Sequence, residues 1–189
     1  MKQVTISALM LIIMTLLFGI IYPFAMTGIA QLLFSKQANG SLVTVNGAIA
    51  GSELIGQSFA GPTYFHGRPS ANNYDGTDSG GSNYGPTNRK LVERAQKLAV
   101  SVRIDNGLPA GAVIPSELVL ASGSGLDPHI SLESARLQVN RIAGARGVDK
   151  SIIIKLLTHN SRKRYWGLWG DSYVNVLKLN IALDDPEKN

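Results

Sequence analysis

The sequence predicts an α+β protein: one membrane-spanning helix at the amino terminus, followed by a single domain with a small antiparallel sheet and several helices. Three observations predict it. No charged side chain falls between Lys2 and Lys36. An alternating segment, Leu42–Val45, meets Ala48–Ala50 across Asn46-Gly47. Beyond residue 87, apolar residues recur at helical spacing behind recognisable caps.

The uncharged run carries the span. A helix rises ~1.5 Å per residue and the hydrocarbon is ~30 Å thick, so about 20 apolar residues cross it. Val4–Ile21 is long enough to cross, and the apolar character continues to Phe34. Backbone groups in lipid must bond internally, which makes the segment helical. The run exceeds the ~7–15 apolar residues of a cleaved signal, so a retained anchor over residues 4–34 is expected. Tyr22-Pro23 marks its outer end, where Pro23 bends or stops the helix. Gly19 and Gly28 allow another helix to approach closely. Lys2 on one flank and only Lys36 near the other lean toward a cytoplasmic amino terminus and an extracytoplasmic domain over residues 36–189.

Asn46-Gly47 supplies the two left-handed positions of a type I′ hairpin turn, and Ser52–Phe59 extends the sheet. Gly61–Gly85, rich in Gly, Pro, Ser and Asn, predicts a long loop, ordered by Tyr64, Phe65, Tyr74 and Tyr84. Thr87 caps a helix from Asn88 to about Arg103, with Leu91, Val92, Ala95, Leu98, Ala99 and Val102 facing inward. Pro115 opens a short helix to Leu120. Ser131 caps a helix to Arg146 that Gly147 stops, with Leu132, Ala135, Val139, Ile142 and Ala143 inward. Asp149 caps another through Thr158. The alternation of Leu177, Leu179, Ile181 and Leu183 with Lys178, Asn180 and Ala182 predicts a strand, with a short helix as the alternative.

Composition narrows the chemistry. The 189 residues contain no cysteine, which removes disulfides and thiolate metal sites. A net charge of +5 without a concentrated basic face does not suit a nucleic-acid binder. Tyr64-Phe65-His66-Gly67-Arg68-Pro69-Ser70 is the densest polar cluster. His66 has no acid nearby to orient it as a base, so an interface or a structural turn is the expected role. Around Gly80, Gly81 and Asn83 the backbone can form an anion nest, but the Gly-Lys-Ser/Thr of a phosphate loop is missing and a glycine turn is expected. Ser124, Asp127 and His129 have the residue types of a catalytic triad without a nucleophile elbow, which leaves a membrane-anchored extracytoplasmic hydrolase as the alternative reading. His66, Asp127 and His129 can meet as metal ligands, though their spacing does not require it. Arg162-Lys163-Arg164-Tyr165-Trp166-Gly167-Leu168-Trp169 joins three cations to aromatics, as contact with anionic headgroups or an acidic partner would, or as a solvated turn.

Six segments in order resemble a known family: Asn39-Gly40-Ser41; Gly51-Ser52-x-Leu54-Ile55-Gly56-Gln57-x-Phe59; Tyr64 to Ala71; Ser79 to Asn83; Ala121-Ser122-x-Ser124-Gly125-Leu126-Asp127; and Val174 to Asp184. Together with the single anchor they resemble the C subunits of the Kdp potassium-transporting P-type ATPases over nearly the whole chain. The resemblance implies a non-catalytic accessory subunit of an ATP-driven potassium uptake complex in the plasma membrane, needed for its assembly and activity. Its partners are a channel-like potassium subunit, a P-type catalytic subunit and membrane lipid. Tyr64, Phe65, His66, Arg68, Gly80, Gly81, Asn83, Ser124, Asp127 and His129, with Gly19 and Gly28 in the anchor, are the expected contacts. The family is also associated with raising the nucleotide affinity of the catalytic subunit. Gln138 matches its glutamine, so ATP would be reached through the complex and no cofactor belongs to this chain alone. A domain outside the cytoplasm beside the ion entrance and direct contact with cytoplasmic ATP are alternatives.

Overall fold

The structure is a computed structural model that describes residues 1–164 and 166–185. The chain forms two compact units, Met1–Ala50 and a larger one from Gly51 onward.

In the first unit, helix α1 (Lys2–Leu16) passes through a widened π turn (Leu17–Ile21) into α2 (Tyr22–Leu33). No residue of these segments is buried, and the helix from Lys2 to Leu33 is long and apolar enough to cross a membrane. The helix continues past Pro23 to Leu33, so of the two outcomes weighed for this proline it does not end the helix. The proline cannot donate to the carbonyl of Gly19 and would crowd it. Here the preceding turn loosens instead, and the Tyr22 N–H bonds back to Leu17. A short helical turn, α3 (Ser35–Ala38), follows, held by reciprocal amide bonds between Gln31 and Asn39 at 3.3 and 3.4 Å. Strands β1 (Leu42–Val45) and β2 (Ala48–Ser52) then form the predicted hairpin. Asn46 at φ 51° and Gly47 at φ 81° both take the left-handed conformation that the turn demands.

In the second unit the expected sheet extension over Ser52–Phe59 is absent: beyond Ser52 the backbone turns and runs irregularly. Strands β3 (His129–Ser131), β4 (Ser161–Arg162) and β5 (Tyr173–Asn175) make an antiparallel sheet in the order β3-β5-β4, with Ile130 and Ser161 both opposite Val174. The core lies among this sheet and three helices, α5 (Leu132–Arg146), α6 (Lys150–His159) and α7 (Val176–Asp184). Caps set the helix ends as the sequence foretold. The hydroxyl of Ser131 accepts from the Ser134 N–H, Gly147 stops α5 at φ 65°, and Asp149 accepts from the Ser151 N–H.

Two further expectations need correction. Residues 177–183 are helical, not a strand. Val176, Leu179, Asn180 and Leu183 are all buried, which is helical spacing, and the polar Asn180 belongs to that inward face. Helix α4 (Arg89–Asp105) is capped by Asn88 rather than Thr87, and none of its residues is fully buried. Its apolar side is only half covered, and Val92 is exposed.

Candidate functional site

The loop from Gly61 to Gly85 has no regular structure, as predicted, yet it threads the core. Phe65 is completely buried among Ile130, Val139 and Leu179. Burying an extended backbone strands its N–H and C=O groups unless something replaces a neighbouring strand. Two buried side-chain amides do so here. Asn180, on α7, accepts from the Phe65 N–H at 2.8 Å and donates to the Phe65 carbonyl at 3.0 Å. Gln138, on α5, accepts from the His66 N–H at 2.8 Å and donates to the His66 carbonyl at 3.1 Å. The peptide unit between Phe65 and His66 is therefore bonded through its oxygen to one amide and through its nitrogen to the other.

Gln138 has no valence to spare. Its oxygen also accepts from Arg141 at 2.8 Å, and its nitrogen also donates to the Ser134 carbonyl at 3.3 Å. It is 2% exposed. A nucleotide contact at Gln138 would have to break these bonds.

Arginines finish the fastening. Arg141 donates to the Pro62 carbonyl at 2.6 Å and to Asn106 at 3.1 Å, and burial lowers its pKa. Arg146 donates to the carbonyls of Thr63 and Leu183 and pairs with Asp184 at 2.8 Å. Its guanidinium lies 5.1 Å from the centre of the Tyr64 ring. The Tyr64 hydroxyl donates to Asp184 at 3.0 Å, a bond that raises the phenol's pKa. The His66 Nε2–H donates to the Gly61 carbonyl at 3.0 Å, while burial of the ring lowers its pKa.

A second cluster joins three expected residues. Arg68 bonds Asp127 at 3.0 Å, and Asp127 also accepts from the His129 N–H at 3.0 Å, with the His129 ring nitrogen 3.5 Å away. Partial burial pushes the Asp127 carboxyl up, but the bonds from His129 and Arg68 outweigh it and hold it below its ordinary value. The His129 ring stands edge-on to Tyr173 at 4.5 Å, beside a surface groove of about 480 Å³ bordered by Glu117, Glu133 and Tyr173.

The glycines form a third cluster. The Gly80 N–H donates to the Ser124 carbonyl at 2.8 Å. A Cβ on Gly81 would lie 3.0 Å from the Gly123 oxygen, and one on Gly125, itself at φ 69°, 2.6 Å from the Gly80 oxygen. These glycines let two turns touch backbone to backbone. The Ser124 hydroxyl accepts from the Leu126 N–H within its own turn at 3.1 Å, and no hydrogen bond joins it to His129 among the described residues. No grouping of His66, Asp127 and His129 suited to a metal occurs among the described residues. Asn83 lies exposed at φ 53°, outside these clusters. Gly19 and Gly28 sit on the apolar helix, where a Cβ would meet nothing closer than 3.9 Å from Thr15 and nothing within 4 Å, respectively. Of the basic–aromatic segment, Tyr165 lies outside the described residues, as does the end of the domain from residue 186.

Sequence reasoning missed Asn180, Arg141 and Arg146. The signal for Asn180 was one amide within an otherwise apolar helical face.

Comparison with known proteins agrees with the resemblance. Residues 4–185 match the family described as K+-transporting ATPase, c chain. The "Potassium-transporting ATPase KdpC subunit" of Caldanaerobacter subterraneus subsp. tengcongensis is 48% identical over 172 residues, covering 91% of this chain and 89% of the relative. That of Gemmatimonas aurantiaca is 49% identical over 187 residues, covering 97% and 93%. That of Mycobacterium tuberculosis is 43% identical over 185 residues, covering 97% and 98%. The chain belongs to the KdpC family, the c chains of potassium-transporting ATPases.

Proposed function

We propose that this chain is a non-catalytic subunit that helps assemble a potassium pump, binding its channel-like and ATP-hydrolysing subunits from an extracytoplasmic domain. One observation carries the reading. Gln138, Ser124 and Asp127 spend their polar groups on bonds within the domain, and the same bonding holds the loop from Pro62 to Arg68 as a preformed surface. Preformed surfaces bind partners with little ordering cost. On that surface Arg68, Asp127 and His129 present a fixed, charged corner. Phe65 and Gln138 act from within by holding it in place. Any effect on nucleotide affinity then passes through assembly, without Gln138 touching ATP. The same surface would steady the complex near the ion entrance.

Assembly through the anchor is tested with Gly19→Leu and Gly28→Leu. Both positions are exposed, and a Cβ added at either meets nothing within the chain closer than 3.9 Å. Lost co-purification of the other subunits would therefore come from a neighbouring helix, and normal assembly of both variants would reduce the anchor to a tether. Orientation is tested with Thr87→Cys, an exposed position in this cysteine-free chain. An impermeant thiol reagent labels it in intact cells if the domain lies outside. Labelling only after the membrane is opened would reverse the topology and revive a cytoplasmic role.

A further inference from the structure

The loop joining β4 to β5 reaches the groove beside His129 only through Arg164, Asp171 and Ser172, and its tip takes no part in the clusters described above. Its base is fixed: Ser161 and Arg162 pair with Val174 and Tyr173, and Val174 is completely buried. Its tip is turned outward by Trp166, Gly167 and Gly170, all in the left-handed region. There Trp166 is 92% exposed, Leu168 78% and Trp169 69%. Large apolar side chains at such exposure, close together in sequence beside a paired strand end, mark a contact surface. Exposed Arg162, Lys163 and Arg164 stand just before them. Arg164 pairs with Asp171 at 3.0 Å, which offsets the one acid of the tip.

We propose that this tip docks on the bilayer surface, with Trp166, Leu168 and Trp169 in the interfacial layer and Arg162 and Lys163 on anionic headgroups. Tryptophan concentrates at the membrane–water boundary because its ring is apolar and its N–H is polar. Cations beside it complement a negative surface and not a neutral one. The chain carries its own candidate membrane span, so the tip is tethered near a bilayer and needs only weak affinity to dock. The inference rests on that span entering the membrane. It does not depend on which side the domain occupies or on the pump subunits.

Trp166 and Trp169 are the chain's two tryptophans, so emission excited selectively from tryptophan reports on this tip alone. The full chain is placed in nanodiscs of phosphatidylcholine, or of equal parts phosphatidylcholine and phosphatidylglycerol. Co-elution with the disc confirms separately that the span has inserted. The expected result is a blue shift and quenching by chain-brominated lipid, stronger in the anionic discs and reversed by salt. Each cation near an anionic surface is worth about fivefold, so Arg162→Gln with Lys163→Gln lowers the docked-to-free ratio by about 25-fold. Circular dichroism checks that this variant is folded. Water-like emission in both discs, with the span inserted, overturns the proposal. So does a blue shift indifferent to phosphatidylglycerol and salt. A polarity-sensitive dye on Leu168→Cys that shifts only in the assembled complex assigns the tip to a protein partner, which also overturns it.

Discussion

Replacing Gln138 by Met keeps the side chain's length and removes its amide. The His66 N–H and C=O then lose their partners in a largely buried setting. Each stranded group costs about 1–3 kcal/mol. The added apolar burial returns about 1–2 kcal/mol, which leaves a net loss of about 3 kcal/mol. Asn180→Leu strands the Phe65 N–H and C=O in the same way, and the same ledger gives about 3 kcal/mol. Both amides hold one peptide unit, so releasing it with the first substitution leaves the second less to lose. The double variant should therefore be less destabilised than the sum, with a coupling of about 1–3 kcal/mol. Urea unfolding of the full chain in detergent, followed by circular dichroism, measures all four corners of the cycle. Strict additivity, or a loss below about 0.5 kcal/mol for either single variant, would refute the clamp. Unchanged stability of Gln138→Met together with an altered KM for ATP in the assembled pump would return Gln138 to a nucleotide role.

Arg68→Ala should destabilise the domain by on the order of 1–2 kcal/mol, because it leaves the half-buried Asp127 without its cation, and should weaken recovery of the pump subunits; urea midpoints and co-purification measure the two effects, and an unchanged midpoint with lost assembly would make Arg68 a direct contact. Burial lowers the pKa of His66 below its ordinary 6.5, so the unfolded chain binds the proton more readily. Stability should be full above 6.5 and fall as pH drops from 6.5 toward the folded value, and His66→Gln should flatten a melting profile taken across that range. Gly147→Ala forces a Cβ into the left-handed position that stops α5 and should cost about 1–2 kcal/mol, read from the shift in the urea midpoint.

Much of this was legible in the residues. The long apolar helix, the Asn46-Gly47 turn and the caps at Ser131, Gly147 and Asp149 depend on local chemistry and appear where the sequence puts them. The helix α7 was misread because its pattern has two solutions. Reading Asn180 as solvent-facing makes the segment alternate, whereas burying it makes the segment helical, and only a partner 115 residues away decides between them. Pro23 left two outcomes open for a related reason: whether it ends a helix depends on the turn before it, and here that turn had opened. Arg68, Asp127 and His129 were picked out by type, but their mutual bonding and the backbone contact of Gly80 with Ser124 are tertiary facts. Gln138 drew attention only through a family expectation of a nucleotide contact, and its bonds to His66 were not legible, since nothing in its neighbours announces that both ends of its amide are taken.

The paired amides also set an order of events during synthesis. Phe65 is made early, while Asn180, which satisfies its backbone, comes 115 residues later. Chains grow at about 5–20 residues per second, so Phe65 waits several seconds for its partner. In that interval the aromatic ring and its unpaired peptide groups are exposed in a chain whose amino terminus is already able to enter a membrane. Closure of the loop is thus a late, long-range step, of the kind that slows folding. The corner formed by Arg68, Asp127 and His129 takes shape only once the far end of the domain has arrived, so a truncated or stalled chain has its apolar helix complete but this part of its domain unformed.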